Sequence, residues 1–273
     1  MSDVDASSQP SETSGIVGSV VKALRVLDCF SATRGRLTLA HISQELRLPK
    51  STTLNLVRTL EQQDYLLRRP DQTYQLGYKV LELSYYLRSS LPIVQHAVPF
   101  MEELQIKTGE IVYLTSHTQG RVLYLEGVYP SIRMGNYSIA GKTLPLHCTG
   151  CGKAMMAYLG ADELDWVLEN RPLARSTPNT VTDRDELLDE LQRIRERGYA
   201  IDVEEETVGV KCVGVAIRDS DGYPVGALSV SGTVISMKDE LVDEYARMLS
   251  HASHSLSNNA AQFPAAQLRG RAT

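Results

Sequence analysis

Residues 37–76 constrain the fold of this chain more than any other stretch, because two short helical patterns are followed there by a β-hairpin pattern. The first helix is predicted at Leu39–Leu46, and Pro49 prevents it from continuing, since proline breaks the hydrogen-bond ladder and restricts the residue before it. A second helix is predicted from Lys50 to about Gln62, where Ser51 can cap free amide groups. Its buried stripe, at i, i+3, i+4 and i+7, is Thr53, Leu56, Val57 and Leu60.

The opposite face of this second helix carries polar side chains without an acidic residue. Such donors and acceptors suit phosphate oxygens and base edges. Residues 65–69 and 73–76 then flank 70–72, a turn signal between two β-prone runs. The order predicts a winged helix-turn-helix that binds double-stranded DNA through the major groove, and the alternative is a helical subdomain with a solvated face. The predicted DNA-binding residues are Lys50, Ser51, Thr52, Asn55, Arg58, Thr59, Arg68 and Arg69.

Charge separates the chain into two parts. The 273 residues have a net charge of −5, which taken as a whole argues against a nucleic-acid binder. Residues 16–90, however, hold eleven Lys and Arg against six Asp and Glu, a net charge of +5. Residues 1–15 carry −3 and residues 91–273 carry −7. A basic head on an acidic body is typical of a regulator with separate DNA-binding and sensor domains.

Cysteine use and hydropathy indicate the compartment. Four cysteines in a chain of this length do not suggest a disulfide scaffold. No signal peptide is apparent and no apolar run is long enough to span a bilayer. We therefore expect a cytoplasmic protein without a membrane partner.

The remaining patterns predict five segments. Residues 1–15 are expected to be a disordered tail, 16–77 the winged helix-turn-helix domain, 78–90 a linker helix, 91–258 a sensor domain, and 259–273 a second disordered tail. The first domain begins with an amphipathic helix at 19–30 that places Val20, Ala23, Leu24 and Leu27 on one face. The linker helix either pairs with its copy in a dimer or packs on its own domain.

The sensor domain mixes strands and helices. Residues 110–118 and 121–129 alternate apolar and polar side chains around a hairpin turn at 119–120. Further strands are predicted at 132–139, 199–204, 210–218 and 225–231, and helices at 91–108, 149–158, 162–169, 183–197 and 238–257. Pro99 should kink the first of these helices. One antiparallel sheet flanked by helices gives an α+β class.

Several segments in this order resemble the IclR family of bacterial transcription regulators. They are SVVKALRVLDCF, LAHISQELRLPKSTTLNLVRTLEQQDYLLR, LPLHCTGCGKAMMAYL, RGYAIDVEEETVGVKCVGVAIRD and GYPVGALSVSG, which span about residues 16–258. The resemblance implies a winged helix-turn-helix, a linker helix and a GAF-like domain that binds a small effector. It also implies a homodimer or homotetramer that binds a palindromic operator as a repressor, an activator or both. It implies no enzymatic activity and no cofactor.

The resemblance also implies an effector site. Gly150 and Cys151 stand where a helix begins, and free amide groups at such an end favour an anion, so a carboxylic acid is expected. Alternation places Ser229 and Ser231 on one face of a strand. Arg133 is expected to grip a carboxylate through two hydrogen bonds, the alternative being a surface residue on an edge strand. The predicted effector-binding residues are Arg133, Asn136, Gly150, Cys151, Asp202, Cys212, Ser229 and Ser231.

The sequence departs from the family pattern at one predicted effector-binding position and at one predicted DNA-binding position. Cys151 stands where the family often has Ala, which places a bulkier and softer atom at the mouth of the pocket. Asn55 stands on the second helix where the family often has Arg. Since Asn pairs well with adenine and Arg with guanine, the operator is expected to differ at that position.

The sequence also contains residues that suggest a zinc site, a cysteine nucleophile or a phosphate loop. His147, Cys148, Cys151 and Cys212 offer ligands that Zn²⁺ prefers, which makes a metal-responsive regulator the alternative function. Their spacing is looser than that of paired CxxC motifs. A cysteine nucleophile at Cys151 would need a base and an orienting third group, and the sequence supplies no such set. The string GCGKA fails as a phosphate loop because Ala154 replaces Ser or Thr.

Overall fold

The computed structural model describes residues 15–131 and 139–265. The chain divides into two compact units, one up to Leu87 and the other from Arg88 onward. No helix among the described residues is both long enough and apolar enough to cross a membrane.

The N-terminal unit contains three helices and a three-stranded sheet. Helix α1 covers Gly18–Asp28, strand β1 Leu37–Thr38, α2 Leu39–Leu46, α3 Lys50–Gln62, β2 Leu66–Arg68 and β3 Thr73–Leu76. The sheet order is β1-β3-β2 with antiparallel pairing, so β1 adds a strand that the sequence patterns did not predict. The predicted helix, turn, helix and hairpin are confirmed.

Burial in this unit follows the predicted stripe of α3 and departs from the predicted face of α1. Thr53, Val57 and Leu60 are buried. On α1, however, Val26 is the buried residue, whereas Val20 and Leu24 are more than half exposed. The predicted face of α1 is therefore confirmed only in part: Ala23 and Leu27 are partly buried against the core of this unit, whereas Val20 and Leu24 are not. The apolar residues of α1 cover more than one side of the helix, and only the side that meets α2 and α3 is buried.

Helix α4, Tyr78–Ser89, follows the wing and crosses the boundary between the two units. None of its residues is buried. Its exposed large apolar residues are Tyr78, Leu81, Leu83, Tyr85, Tyr86 and Leu87.

The C-terminal unit is built on one six-stranded antiparallel sheet. Its strands are β4 Ile111–Thr118, β5 Arg121–Val128, β6 Thr143–Pro145, β7 Ala200–Val203, β8 Val210–Arg218 and β9 Pro224–Thr233. The order β6-β5-β4-β9-β8-β7 places the last hairpin of the chain beside the first, so β4 and β9 pair at the centre. The α+β class is confirmed.

Helices cover both faces of this sheet. They are α5 Pro92–Thr108, α6 Gly150–Met156, α7 Ala161–Asn170, α8 Arg184–Arg197 and α9 Asp239–Ser257. Helices α5 and α9 contribute to one apolar core with the sheet, and α6, α7 and α8 contribute to the other. Helix α8 begins at the Asp183 cap and ends at Gly198, as its sequence predicts. Pro99 lies inside α5, which runs on past it to Thr108.

The predicted disordered tail at the end of this unit needs correction. The segment from 259 is ordered as far as Ala265: a short 3-10 helix covers Ala260–Gln262, and Phe263 is buried in the core of α5 and α9. The predicted disordered tail is therefore wrong for these residues, because a single aromatic anchor in a polar stretch leaves no periodic signal. Strand β6 was also not predicted. The strand predicted at 132–139 lies outside the described residues except for Ile139, which is not in a strand.

Candidate functional site

The predicted DNA-binding face lies on the outer side of α3. Lys50, Ser51, Asn55, Arg58 and Thr59 are exposed, and Thr52 is half-buried. The helix starts after Pro49, whose side chain cannot accept a hydrogen bond. The predicted cap at Ser51 is wrong, since this residue is already inside the helix. The amide groups of the first turn consequently lack a side-chain cap and can donate to an external anion.

The charged groups of this face are not neutralised by neighbours. Among the described residues, Lys50 and Arg58 form no ion pair. In the wing, the Arg68 guanidinium donates to the Gln72 side chain and lies 6.0 Å from the centre of the Tyr74 ring. The buried Nε of Arg69 has no hydrogen-bond partner within the described part of the chain.

The C-terminal unit contains an open cavity of about 660 Å³ on the sheet face that carries α6. Sheet register explains which side chains line it. Asp202 on β7 is opposite Cys212 on β8, Cys212 is opposite Ser231 on β9, and Ser231 is opposite Ile111 on β4. Because alternate residues of a strand share a face, the next row contains Tyr113, opposite Ser229.

Glycines let α6 lie close to this sheet. A Cβ on Gly214 of β8 would stand 2.5 Å from the carbonyl carbon of Gly150, so any larger residue there must displace the helix. Thr149 caps α6 by accepting a hydrogen bond from the Gly152 amide at 3.1 Å. The close approach carries Gly150 and Cys151 into the cavity wall.

Thiol groups are paired with hydroxyl groups inside the cavity. Cys151 Sγ donates to Ser229 Oγ at 3.0 Å, and Cys212 Sγ donates to Ser231 Oγ at 3.0 Å. Burial raises the pKa of both thiols. They are therefore protonated donors at neutral pH rather than nucleophiles.

Asp202 is the acidic group nearest these pairs along the row. It is 3% exposed, and its Oδ1 accepts a hydrogen bond from the Glu205 amide at 2.8 Å. Burial raises the pKa of Asp202 to about 7, and the nearby Glu205 carboxyl adds to this effect, while the Glu205 amide and the Lys153 ammonium oppose it. Asp202 therefore changes its charge near neutral pH.

A buried ion pair lies behind Asp202. The Lys153 ammonium of α6 donates to Glu205 Oε1, while Glu205 Oε2 has no partner among the described residues. The Thr177 hydroxyl donates to the Glu204 carbonyl at 2.6 Å, and the Thr180 hydroxyl donates to the Glu205 carbonyl at 2.7 Å. These contacts fix the loop after β7, and its next residue, Glu206, lines the cavity.

Six of the eight sequence-predicted effector residues line this one cavity: Gly150, Cys151, Asp202, Cys212, Ser229 and Ser231. Arg133 and Asn136 lie outside the described residues. Sequence reasoning missed lining residues that include Glu110, Tyr113, Tyr124, Lys142 and Glu206. The alternation of β4 could have indicated Tyr113, whose ring lies 5.2 Å from that of Tyr124, edge to face.

The four candidate zinc ligands, His147, Cys148, Cys151 and Cys212, do not lie together at one site. His147 Nε2 is 3.1 Å from the Ala174 carbonyl oxygen, and His147 lines a second, separate cavity of about 120 Å³. Cys148 is not among the residues that line the first cavity, whereas Cys151 and Cys212 are. In residues 15–131 and 139–265, no three His, Cys, Asp or Glu side chains form a cluster that could hold a metal ion.

Comparison with known proteins agrees with both units. Residues 19–70 match the IclR helix-turn-helix domain and residues 86–258 match the C-terminal domain of bacterial IclR transcriptional regulators. The chain is 33% identical to the Escherichia coli transcriptional regulator XynR over 92% of its own length and 99% of that protein.

Solved structures of IclR-family regulators also align with this chain. An IclR-family regulator from Brucella abortus aligns with a TM-score of 0.81 at 26% identity, covering 93% of this chain and 96% of the other. An IclR homologue from Microbacterium hydrocarbonoxydans, solved with 4-hydroxybenzoate, aligns with a TM-score of 0.73 at 26% identity, covering 89% and 99%. Together with the helix-turn-helix and the cavity, these matches show that the chain belongs to the IclR family of bacterial transcriptional regulators: it is a DNA-binding regulator and not an enzyme.

Proposed function

We propose that this regulator responds to a small organic or aromatic acid, which binds in the 660 Å³ cavity and changes the affinity for promoter DNA. The observation that carries the proposal is the cavity wall itself. Six residues selected from the sequence, on β7, β8, β9 and α6, line one space, and four of them are thiols or hydroxyls paired with each other. The relative solved with 4-hydroxybenzoate supports a small aromatic acid as the ligand.

In this proposal DNA is bound through α3 and the wing. The uncapped amino end of α3 favours a phosphate, and Lys50 and Arg58 supply charge without an intramolecular partner in the described chain. Asn55 is exposed in the middle of the helix and suits the edge of an adenine. The wing residues Arg68 and Arg69 add backbone contacts.

We further infer that the chain binds a palindromic operator as a homodimer or homotetramer. Helix α1 and the residues before it leave five large apolar side chains exposed, and α4 leaves six. Exposed apolar surface on this scale is typical of a protein interface. The residues on the α1 side are Ile16, Val17, Val20, Val21 and Leu24.

Oligomerisation is tested by one substitution on this surface. Leu24→Glu places a charge on the apolar face of α1 and should lower the mass measured by light scattering, since a buried unpaired charge opposes association. Lys22→Glu is the charge control, because Lys22 is also exposed but points to nearly the opposite side of the helix from Leu24. An unchanged mass for Leu24→Glu would remove α1 from the interface.

The effector proposal is tested by thermal shift on the full chain with a panel of aliphatic and aromatic acids. A ligand at a hundred times its Kd should stabilise the fold by about 2.7 kcal/mol. Ser229→Ala should abolish the shift, and its unliganded melting temperature should also fall, because the substitution removes the acceptor of the buried Cys151 thiol. Addition of the same acid should change the anisotropy of a bound promoter fragment, because coupling between two sites is reciprocal. Stabilisation without a change in DNA affinity would contradict a regulatory role for the cavity.

A further inference from the structure

Charge is distributed unevenly across the cavity. Lys142 lies beside β5, where its carbonyl oxygen accepts a hydrogen bond from the Tyr124 amide at 3.0 Å. Asp202 and Glu206 lie at β7 and the loop that follows it. In the sheet order β5 and β7 are four strand positions apart, with a spacing of about 4.8 Å per step. Among the described lining residues the single cation, Lys142, therefore lies on the β5 side of β9, together with Glu110, which precedes β4. The β7 side, called here the acidic side, carries two carboxylates and no cation among these residues.

Two hydrogen-bond donors, the hydroxyl groups of Ser229 and Ser231 on β9, lie in the middle of the cavity wall. Ser229 Oγ and Ser231 Oγ each accept a hydrogen bond from a thiol, so the proton of each hydroxyl is directed elsewhere. Among the described residues neither hydroxyl has a second partner. Both serines line the cavity from the same face of β9, two residues apart. They present two donors to whatever occupies it.

We propose that the cavity selects a monocarboxylic acid with a hydroxyl group at its far end, and rejects the dicarboxylic acid of the same length. The carboxylate accepts hydrogen bonds from Ser229 and Ser231 on the side of Lys142. The far hydroxyl donates to Asp202 on the acidic side. This inference rests on the proposed function, since it names the class of acid sensed.

The reason for the rejection is electrostatic. A second carboxylate at the far end would stand beside Asp202, which is nine-tenths buried, with Glu206 also lining that side. Like charges placed together disfavour binding where one of them is shielded from the water that would screen it, as the Asp202 carboxylate is. A hydroxyl group has no charge and supplies the donor that a carboxylate oxygen needs.

The test compares matched ligands by calorimetry on the full chain at pH 8, where Asp202 is largely ionised. The pairs are 4-(hydroxymethyl)benzoate with terephthalate, 6-hydroxyhexanoate with adipate, and gluconate with glucarate. In at least one pair the hydroxy acid should bind at least tenfold more tightly than its dicarboxylic partner. Equal or tighter binding of the dicarboxylic acids would overturn the inference while leaving the acid-sensing function intact. No binding by any of the six, or by any acid of the wider panel, would overturn both.

Asp202→Asn is the variant that tests the mechanism. The substitution keeps an oxygen to accept the Glu205 amide and removes the charge. It should reduce the preference for the hydroxy acid from tenfold to less than threefold, mainly by tightening the dicarboxylate. Asp189→Asn, an exposed position on α8, removes one negative charge elsewhere and should keep the full preference. A preference that survives Asp202→Asn unchanged would show that Asp202 does not set it.

Discussion

The predicted DNA-binding face of α3 and the cavity of the C-terminal unit use polar side chains in opposite surroundings. On α3, Lys50 and Arg58 are exposed and, within the described chain, unpaired, so water solvates their charges fully. In the cavity, Asp202 and Ser229 are almost entirely buried and each is hydrogen-bonded to the protein. Replacing an exposed, solvated side chain changes the free energy of unfolding little. Replacing a buried, hydrogen-bonded side chain lowers it, because the partner group loses its hydrogen bond. Substitutions should therefore separate function from stability on α3 and mix them in the cavity.

The largest effect on stability is expected at the ion pair behind the cavity. Lys153→Met leaves the Glu205 carboxylate buried without its partner, which should lower the free energy of unfolding by about 3–5 kcal/mol. Urea denaturation followed by circular dichroism measures this loss. Lys107→Met breaks an exposed pair with Glu103 and should change stability by less than about 1 kcal/mol. Similar losses for the two variants would show that burial is not what distinguishes them.

A smaller loss is expected where α6 meets the sheet. Gly214→Ala places a methyl group 2.5 Å from the backbone of Gly150, and the helix must move to relieve the clash. Overpacking of this kind costs about 1–3 kcal/mol and should also weaken acid binding, because the same helix carries Cys151. Gly160→Ala has open space around its new Cβ and is the control in the same thermal melts. Wild-type stability of Gly214→Ala would contradict close packing at this point.

The charge of Asp202 should appear in the pH dependence of stability. The folded-state pKa, about 7, lies above the usual value of 3.8, so the folded protein binds this proton more tightly than the unfolded chain. The stabilising contribution is complete below pH 4 and is lost as the pH rises towards 7. Between pH 5 and pH 8 the wild type should lose on the order of 2–3 kcal/mol relative to Asp202→Asn, since the change covers about two pH units and each corresponds to about 1.4 kcal/mol.

Several ionisable groups lie near Asp202 and act on its carboxyl. They are Lys153 on α6, Glu205 and Glu206 on the following loop, and Cys212 on β8. The comparison between wild type and Asp202→Asn in one series of buffers isolates the contribution of Asp202 itself. A constant difference between the two proteins across the range would show that Asp202 stays ionised throughout.

The smallest effect on stability is expected on α3. Arg58→Ala should change the free energy of unfolding by less than about 0.5 kcal/mol, because the side chain is exposed and has no ion pair in the described residues. The same variant should weaken binding to any duplex and lower the slope of log K against log salt by about 1. Anisotropy titrations of a random 40-base-pair duplex at several salt concentrations measure both. Arg184→Ala, an exposed arginine of α8, should leave the slope unchanged.

Local sequence patterns determined most of the elements of this protein. Helix α3, strand β8 and the cap and end of α8 follow from side-chain periodicity and from Asp183 and Gly198, which act within one turn of chain. Similarity to the IclR family added the six cavity residues, which no periodicity could have assigned to a ligand. The order β6-β5-β4-β9-β8-β7 was beyond such patterns, because strand pairing depends on contacts between segments far apart in the chain.

Only the tertiary structure determined which side chains lie together in the cavity and how burial changes the pKa of Asp202. Pairing of β7, β8 and β9 brings Asp202, Cys212 and Ser231 into one row, and burial there raises the pKa of Asp202. The same packing sets Lys153 against Glu205, 52 residues later, and Phe263 against the core. A residue type fixes what a side chain can donate or accept, and local periodicity fixes its helix or strand. Its neighbours and its access to water come from the packing of distant segments, and these determine its charge and its role.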